Sequence, residues 1–364
     1  MQRYSLSAWL CGAAALILTG GPAAAQAAPK VVASIKPVHS LVAGVMAGVG
    51  EPTLLVKGAG SPHSYNLKPS EARALAQADL VFWVGEGLET FLTKPLDSLA
   101  GGSTVITLAT VDGIELLATR EGGAWEGHGE HDDHADHGEH AEHGDHADHG
   151  EHDDHADHDD HGEHDDHADH GDHADHDDHA EHGEHHDHAH GEHDMHIWLD
   201  PHNTQAMVRA IVSALSAVDS ENATRYEANG ARLATDLTAL DSEIAAALAS
   251  VKAQPYIVFH DAYAYFETHY GTNAVGAITV SPERTPGAKR LAELRDKIAD
   301  LGAVCVFSEP QFEPALVTTI IDGTTAKTGE LDPLGAALTP GPQAYFDLIR
   351  NIATSMVGCL SPDS

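Results

Sequence analysis

Basic residues are what this chain has least of. It carries 19 Lys+Arg against 57 Asp+Glu, a formal charge of -38 with histidine neutral. Nucleic-acid binding is driven by neutralising phosphates with Lys and Arg, so that class of function is excluded. Cysteine is scarce too, with 3 in 364 residues. Past the N-terminal stretch no run of 18 apolar residues occurs, so no membrane-spanning helix is expected there. Neither a CxxC pair nor an HExxH helix is present, and this argues against a thiolate zinc site and the commonest zinc-protease site.

The N-terminus has its own pattern. Arg3 precedes an apolar stretch over 8–18, too short to span a bilayer, and Ala23, Ala24 and Ala25 supply small residues for cleavage. A secretory signal peptide is expected over 1–25, with cleavage after Ala25 or Ala27. Cys11 follows Leu10 inside the apolar stretch, whereas lipoprotein processing wants a small residue there, so a free exported protein is expected. Cys305 and Cys359 remain. In an oxidising compartment the pair reads as a disulfide, the alternative being a thiolate metal site.

The acidity is concentrated. Residues 126–194 hold 28 Asp+Glu, 24 His and no Lys or Arg, leaving 29 acids against 19 bases elsewhere. From His128 to His185 a histidine stands at every third position. That period matches neither helix nor strand, and the only recurrent apolar residue is alanine, so nothing offsets the entropy of ordering. The segment reads as a disordered loop inserted into a folded domain. Imidazole and carboxylate repeated along a flexible chain suit Zn, Cu or Ni, in multiple exchangeable sites weaker than a preformed one.

Elsewhere, short apolar runs alternate with helical patterns, the sign of an α/β fold with mostly parallel sheets. Strands are expected over 31–35, 53–56, 80–84 and 105–108, then 256–259, 274–278, 304–307 and 329–331. Helices are expected over 38–49, 70–78, 203–218, 288–301 and 345–357. Between the two sets, Tyr226, Leu233, Leu237, Leu240, Ile244, Leu248 and Val251 form one helical stripe with no proline over 221–252. A long helix there would link two halves, 29–220 and 253–364.

Six histidines lie outside the acidic segment: His39, His63, His196, His202, His260 and His269. His63 sits in the turn-rich stretch GAGSPHSYNLKPSE, His196 in DMHIWLDP, and His260 ends the apolar strand of YIVFHDAYAYF. Asp332 ends another short strand in GELDPLG. Ligands of open α/β sheets bind at the carboxyl ends of strands, which singles out these residues as candidates. His39, His202 and His269 are assigned structural roles.

The stretches VVASIKPVHSLVAGV, GSPHSYNLKPSEARALAQADLVFWVG, MHIWLDP, FHDAYAYFE, EPQF and LDPLG stand in the order and spacing of a known family. From Val31 to about Leu360 the chain resembles the periplasmic zinc-binding components of bacterial ABC transporters, the cluster A-I or cluster 9 solute-binding proteins. Members carry a His- and acid-rich loop before the second ligand. The resemblance implies two α/β lobes joined by a long helix, with Zn2+ in the cleft. It implies His63 and His196 as ligands from the first lobe and His260 from the second, with Asp332 or water as the fourth. It further matches Cys305 and Cys359 to a disulfide, and implies a monomer that serves an inner-membrane ABC zinc permease and its ATPase. Manganese and iron prefer more carboxylate, so three imidazoles favour zinc. The rivals are an importer of Ni, Co or Cu, a metal buffer, and a zinc hydrolase or hydratase with Glu309 or Asp261 as base. Catalytic zinc is also held by three protein ligands and water.

Overall fold

The computed structural model describes residues 27–120, 193–279, 288–312 and 315–362. The expected signal peptide, and the acidic segment as far as residue 192, lie outside these residues.

Two four-stranded sheets are present, every strand pair parallel. The first comprises β1 (Val31–Ala33), β2 (Thr53–Leu54), β3 (Leu80–Trp83) and β4 (Thr104–Thr107), in the order β2-β1-β3-β4. The second comprises β5 (Pro255–His260), β6 (Asn273–Thr279), β7 (Cys305–Ser308) and β8 (Lys327–Glu330), in the order β6-β5-β7-β8. The helices are α1 (Lys36–Val45), α2 (Pro69–Ala76), α3 (Thr90–Leu99), α4 (Pro201–Val218), α5 (Ala223–Leu248), α6 (Ala264–Tyr270), α7 (Ala288–Leu301), α8 (Ala315–Ile321) and α9 (Ala344–Leu360).

The central strands are apolar throughout because both their faces are covered. Alternate residues point to opposite sides. Val31, Ala33, Leu80 and Phe82 face one core, whereas Val32, Val81 and Trp83 face a second that includes Leu75, Leu92 and Leu96 of α2 and α3. In the second sheet Tyr256, Val258, Cys305 and Phe307 face the first core, and Ile257, Phe259 and Val306 face a third with Leu294 and Ile298 of α7. The inner faces of both sheets therefore belong to one continuous core, completed by α1, α4, α5 and α9.

The expected long helix is α5. It is shorter than the stripe suggested, beginning after a 3-10 turn at Ser220–Asn222, and its 26 residues span about 39 Å. Tyr226, Leu233, Leu237, Leu240, Ile244 and Leu248 are buried along it, against α1, α4 and α9. A Cβ at Gly230 would run into Val212 of α4, so glycine sets how closely these two helices approach. The helix α3 goes beyond the expected elements. Pro95 interrupts its hydrogen-bond ladder, and only Leu92 and Leu96 mark its buried side.

One buried carboxyl organises the turn after β3. Glu89 accepts the Val84 and Gly85 N–H at 2.8 and 2.9 Å. Burial pushes its pKa from 4.5 up to about 7, against the opposing pull of those hydrogen bonds and of Ser34. Between these two values the folded state holds a proton that the unfolded state has lost. Stability is therefore greatest at the acid end of the window and falls by about 3 kcal/mol as pH rises through it. Glu89→Gln is expected to flatten that slope. Urea unfolding of both proteins across the window checks it: equal slopes would mean that Glu89 is already ionised when folded.

Candidate metal centre

His63, His196 and His260 come together. Each offers a ring nitrogen, and the three atoms lie within 4.8 Å of one another. His63 is carried by the loop after β2, where its N–H donates to Ser61 Oγ at 3.3 Å. His196 lies between an isolated bridge, Ala118 to His193, and the 3-10 turn Ile197–Leu199. His260 is the last residue of β5. The site thus draws one histidine from a strand end and two from loops, across both sheets.

Two carboxylates hold the rings. His196 Nδ1 lies 2.7 Å from Asp194 Oδ1, which also accepts the His196 N–H at 2.9 Å. His260 Nδ1 lies 2.7 Å from Glu309 Oε1, on the residue that follows β7. An ionised carboxylate only accepts, so in each pair Nδ1 donates and Nε2 keeps its lone pair. This carboxylate–histidine pairing is what orients imidazoles toward a metal. All four side chains are buried. Asp194 Oδ2 and Glu309 Oε2 are buried without a hydrogen-bond partner among the described residues. Two such charges match one divalent cation.

The freed nitrogens are close. His196 Nε2 and His260 Nε2 are 3.4 Å apart. Two lone pairs at that separation repel unless a proton or cation lies between them. Two nitrogens bound tetrahedrally to zinc at 2.0–2.1 Å sit about 3.3–3.4 Å apart, so the spacing suits that ion. Burial works against a charged His260, but Glu309 beside it, with Asp261 and Asp194, outweighs this and raises its pKa. The pocket is therefore built for positive charge. Pro62, Phe312, Pro333 and Leu334 wall a cavity of about 10 Å³ beside the three rings, room for about one water.

Asp332 is not gathered with the three histidines. Its carboxylate accepts Gln311 Nε2 at 2.9 Å, the N–H of Leu334 and Gly335 at 3.0 and 2.9 Å, and the N–H of Ala336. It shapes the loop that carries Pro333 and Leu334 into the cavity wall. Of the other two candidate acids, Glu309 serves His260, and Asp261 accepts Arg120 Nε at 2.9 and 3.0 Å in an ion pair. His39 is buried beside the Pro52 carbonyl at 3.1 Å, and burial lowers its pKa. His202 and His269, by contrast, sit together with Asp200.

The positioning roles of Asp194 and Glu309 are barely marked in the sequence. Asp194 stands two residues before His196, the only available hint. Glu309 reaches His260 from 49 positions away, through strand pairing that no local pattern discloses. Bonds between segments far apart in the sequence complete the frame. Trp198 Nε1 donates to the Pro333 carbonyl at 2.8 Å, and Tyr265 OH to the Asp194 carbonyl at 2.7 Å.

Residues 31–359 match the family model described as zinc-uptake complex component A, periplasmic. The chain belongs to this family. It is 52% identical over 331 residues to the high-affinity zinc uptake system protein ZnuA of Brucella suis biovar 1 (strain 1330), 91% of each chain. It is 42% identical over 352 residues to the protein of the same name from Paracoccus denitrificans (strain Pd 1222), covering 96% and 97% of the two chains. A crystal structure of ZnuA shares the fold at TM-score 0.66 and 22% identity, over 92% of this chain and 100% of that one. The expected α/β fold with two parallel sheets and the expected family both hold. Cys305 and Cys359 form a disulfide, with Cα atoms 6.1 Å apart, so the thiolate alternative falls away. Among the described residues no helix is long and apolar enough to cross a membrane.

Proposed function

We propose that the chain captures Zn2+ in the periplasm through His63, His196 and His260, with water as fourth ligand, and delivers it to an ABC permease and its ATPase. The observation that carries this reading is the 3.4 Å approach of two carboxylate-anchored Nε2 atoms beside a third histidine. The names of the relatives support zinc as the cargo. Water is favoured over Asp332 because the Asp332 oxygens are already engaged by four donors. An exported monomer with its leader over 1–25 fits this role. Halves 29–220 and 253–364 joined by α5 share one core, so release through a small shift of the ligands fits better than wide opening. A hydrolase is disfavoured because both candidate bases are already engaged, Glu309 by His260 and Asp261 by Arg120.

The test is metal retention by the full-length protein under dialysis against a zinc chelator. One zinc per chain should resist removal. Glu309→Gln should weaken that site by about 10–100-fold, the usual cost of disturbing an outer-shell partner. Retention of nickel or cobalt in place of zinc from an equimolar mixture would overturn the assignment; copper is left out, because it outcompetes zinc at most nitrogen and oxygen sites.

The histidine-rich segment 126–194 is read as a collector. It ends two residues before His196, and a short tether keeps loop-bound ions at high local concentration near the site. Deleting 128–193 should abolish the additional weak sites, keep the tight one, and slow its loading from a competing chelator. Stopped-flow loading at limiting zinc decides this. Identical rates for both proteins would reduce the segment to a buffer.

A further inference from the structure

A second cluster of ligand-type side chains lies outside the site described above. We propose that Asp200, His202 and His269 form a second, exchangeable transition-metal site, backed by Asp241. Their ligand atoms all lie within 4.8 Å of one another. The His202 and His269 rings are 5.1 Å apart, edge to face. Asp200 Oδ2 is 3.8 Å from His269 Nδ1, and Asp200 Oδ1 is 3.8 Å from His202 Nδ1. These gaps are too long for hydrogen bonds. They are close to the spacing of two ligands that share an ion.

The anchoring repeats the logic of the first site with the ring reversed. His269 Nε2 lies 2.8 Å from Asp241 Oδ1 on α5. The carboxylate accepts, so Nε2 donates and Nδ1 keeps its lone pair toward Asp200. Asp200 is itself fixed, because Oδ1 caps α4 by accepting the Asn203 N–H at 2.7 Å. Two imidazoles and a carboxylate, with water completing the shell, suit zinc and its neighbours. The His202 side chain is 79% exposed, against 8% for His196, so ions here exchange freely with solvent. Asp200 and His202 follow His196 at the head of α4, and His269 follows His260 along α6. An ion here joins the two segments that also assemble the first site.

The test uses the full-length chain and residue-resolved carbethoxylation of histidine, read by mass spectrometry with increasing zinc chloride. His202 reports, because its exposure makes it reactive without metal, and chymotryptic cleavage after Trp198 or Leu199 separates it from the loop. At zinc ten times the midpoint, His202 modification should slow about tenfold by mass action. His269→Gln should remove that protection. So should Asp200→Asn, which keeps the helix cap, since asparagine caps as well as aspartate. Both variants should keep the chelator-resistant zinc of the first site, which verifies the fold. Protection of His202 that survives both substitutions would mean adventitious binding to a lone histidine and would overturn the proposal. Absence of protection in the wild type would do the same.

Discussion

Replacing His260 with alanine is expected to lower zinc affinity by more than about 100-fold. Disturbing an outer-shell carboxylate alone costs about 10–100-fold, and the ligand itself contributes more. In the proposed site His260 supplies one of three nitrogens, and its loss leaves His196 Nε2 without the neighbour 3.4 Å away. The substitution has a second effect. Glu309 is 2% exposed, and its Oε1 loses the His260 ring and keeps only the backbone N–H of residue 260 at 3.3 Å. Leaving a buried carboxylate short of a hydrogen-bond donor destabilises by about 1–3 kcal/mol. The metal-free variant should therefore be less stable, and adding Glu309→Gln should recover part of the loss without restoring zinc. His63→Ala separates the two effects. His63 is only partly buried, so zinc binding should fall with little change in stability. Isothermal titration against a competing chelator, paired with urea unfolding, checks both statements. A His260→Ala protein with wild-type affinity would remove His260 from the ligand set.

Breaking the disulfide is expected to cost stability while sparing the metal site. Cys305 and Cys359 lie 54 residues apart and tie β7 to α9. Closing a loop of that length contributes about 4 kcal/mol in the chain-entropy model. Both cysteines are buried in the core shared by the two sheets. Cys305 starts β7, whereas Glu309 follows its other end, so the bridge does not touch the ligands. The Cys305→Ser/Cys359→Ser protein should unfold at a markedly lower urea concentration and still hold one chelator-resistant zinc. Loss of zinc at temperatures where the variant is folded would contradict this separation of stability from binding.

How much of this was legible in the sequence depends on the range of the signal. The central strands read well because their residues are buried on both faces, as at Leu80–Trp83, and α5 reads well because it repeats an apolar residue along one side over 26 residues. The helix α3 was harder to see, because Pro95 breaks its period. The three histidines were legible because each stands in a distinctive local context: a turn-rich loop, the segment after the acidic run, and a strand end. Asp332 met the same strand-end criterion yet turns inward to cap its own loop, an outcome set by backbone geometry that spacing does not encode. The local sequence around His202 and His269 carries no mark of a ligand. Only the fold brings the head of α4 to the end of α6 and places Asp241 behind His269. Long-range pairs of this kind lie beyond any local pattern.

Zinc held among His63, His196 and His260 can be located directly. The most direct measurement is anomalous diffraction at the zinc edge, from crystals of the full-length protein grown with one equivalent of zinc. One dominant peak is expected, bonded to His196 Nε2, His260 Nε2 and a ring nitrogen of His63, with water rather than Asp332 in the fourth position. A dominant peak elsewhere, with these three rings unligated, would contradict this placement.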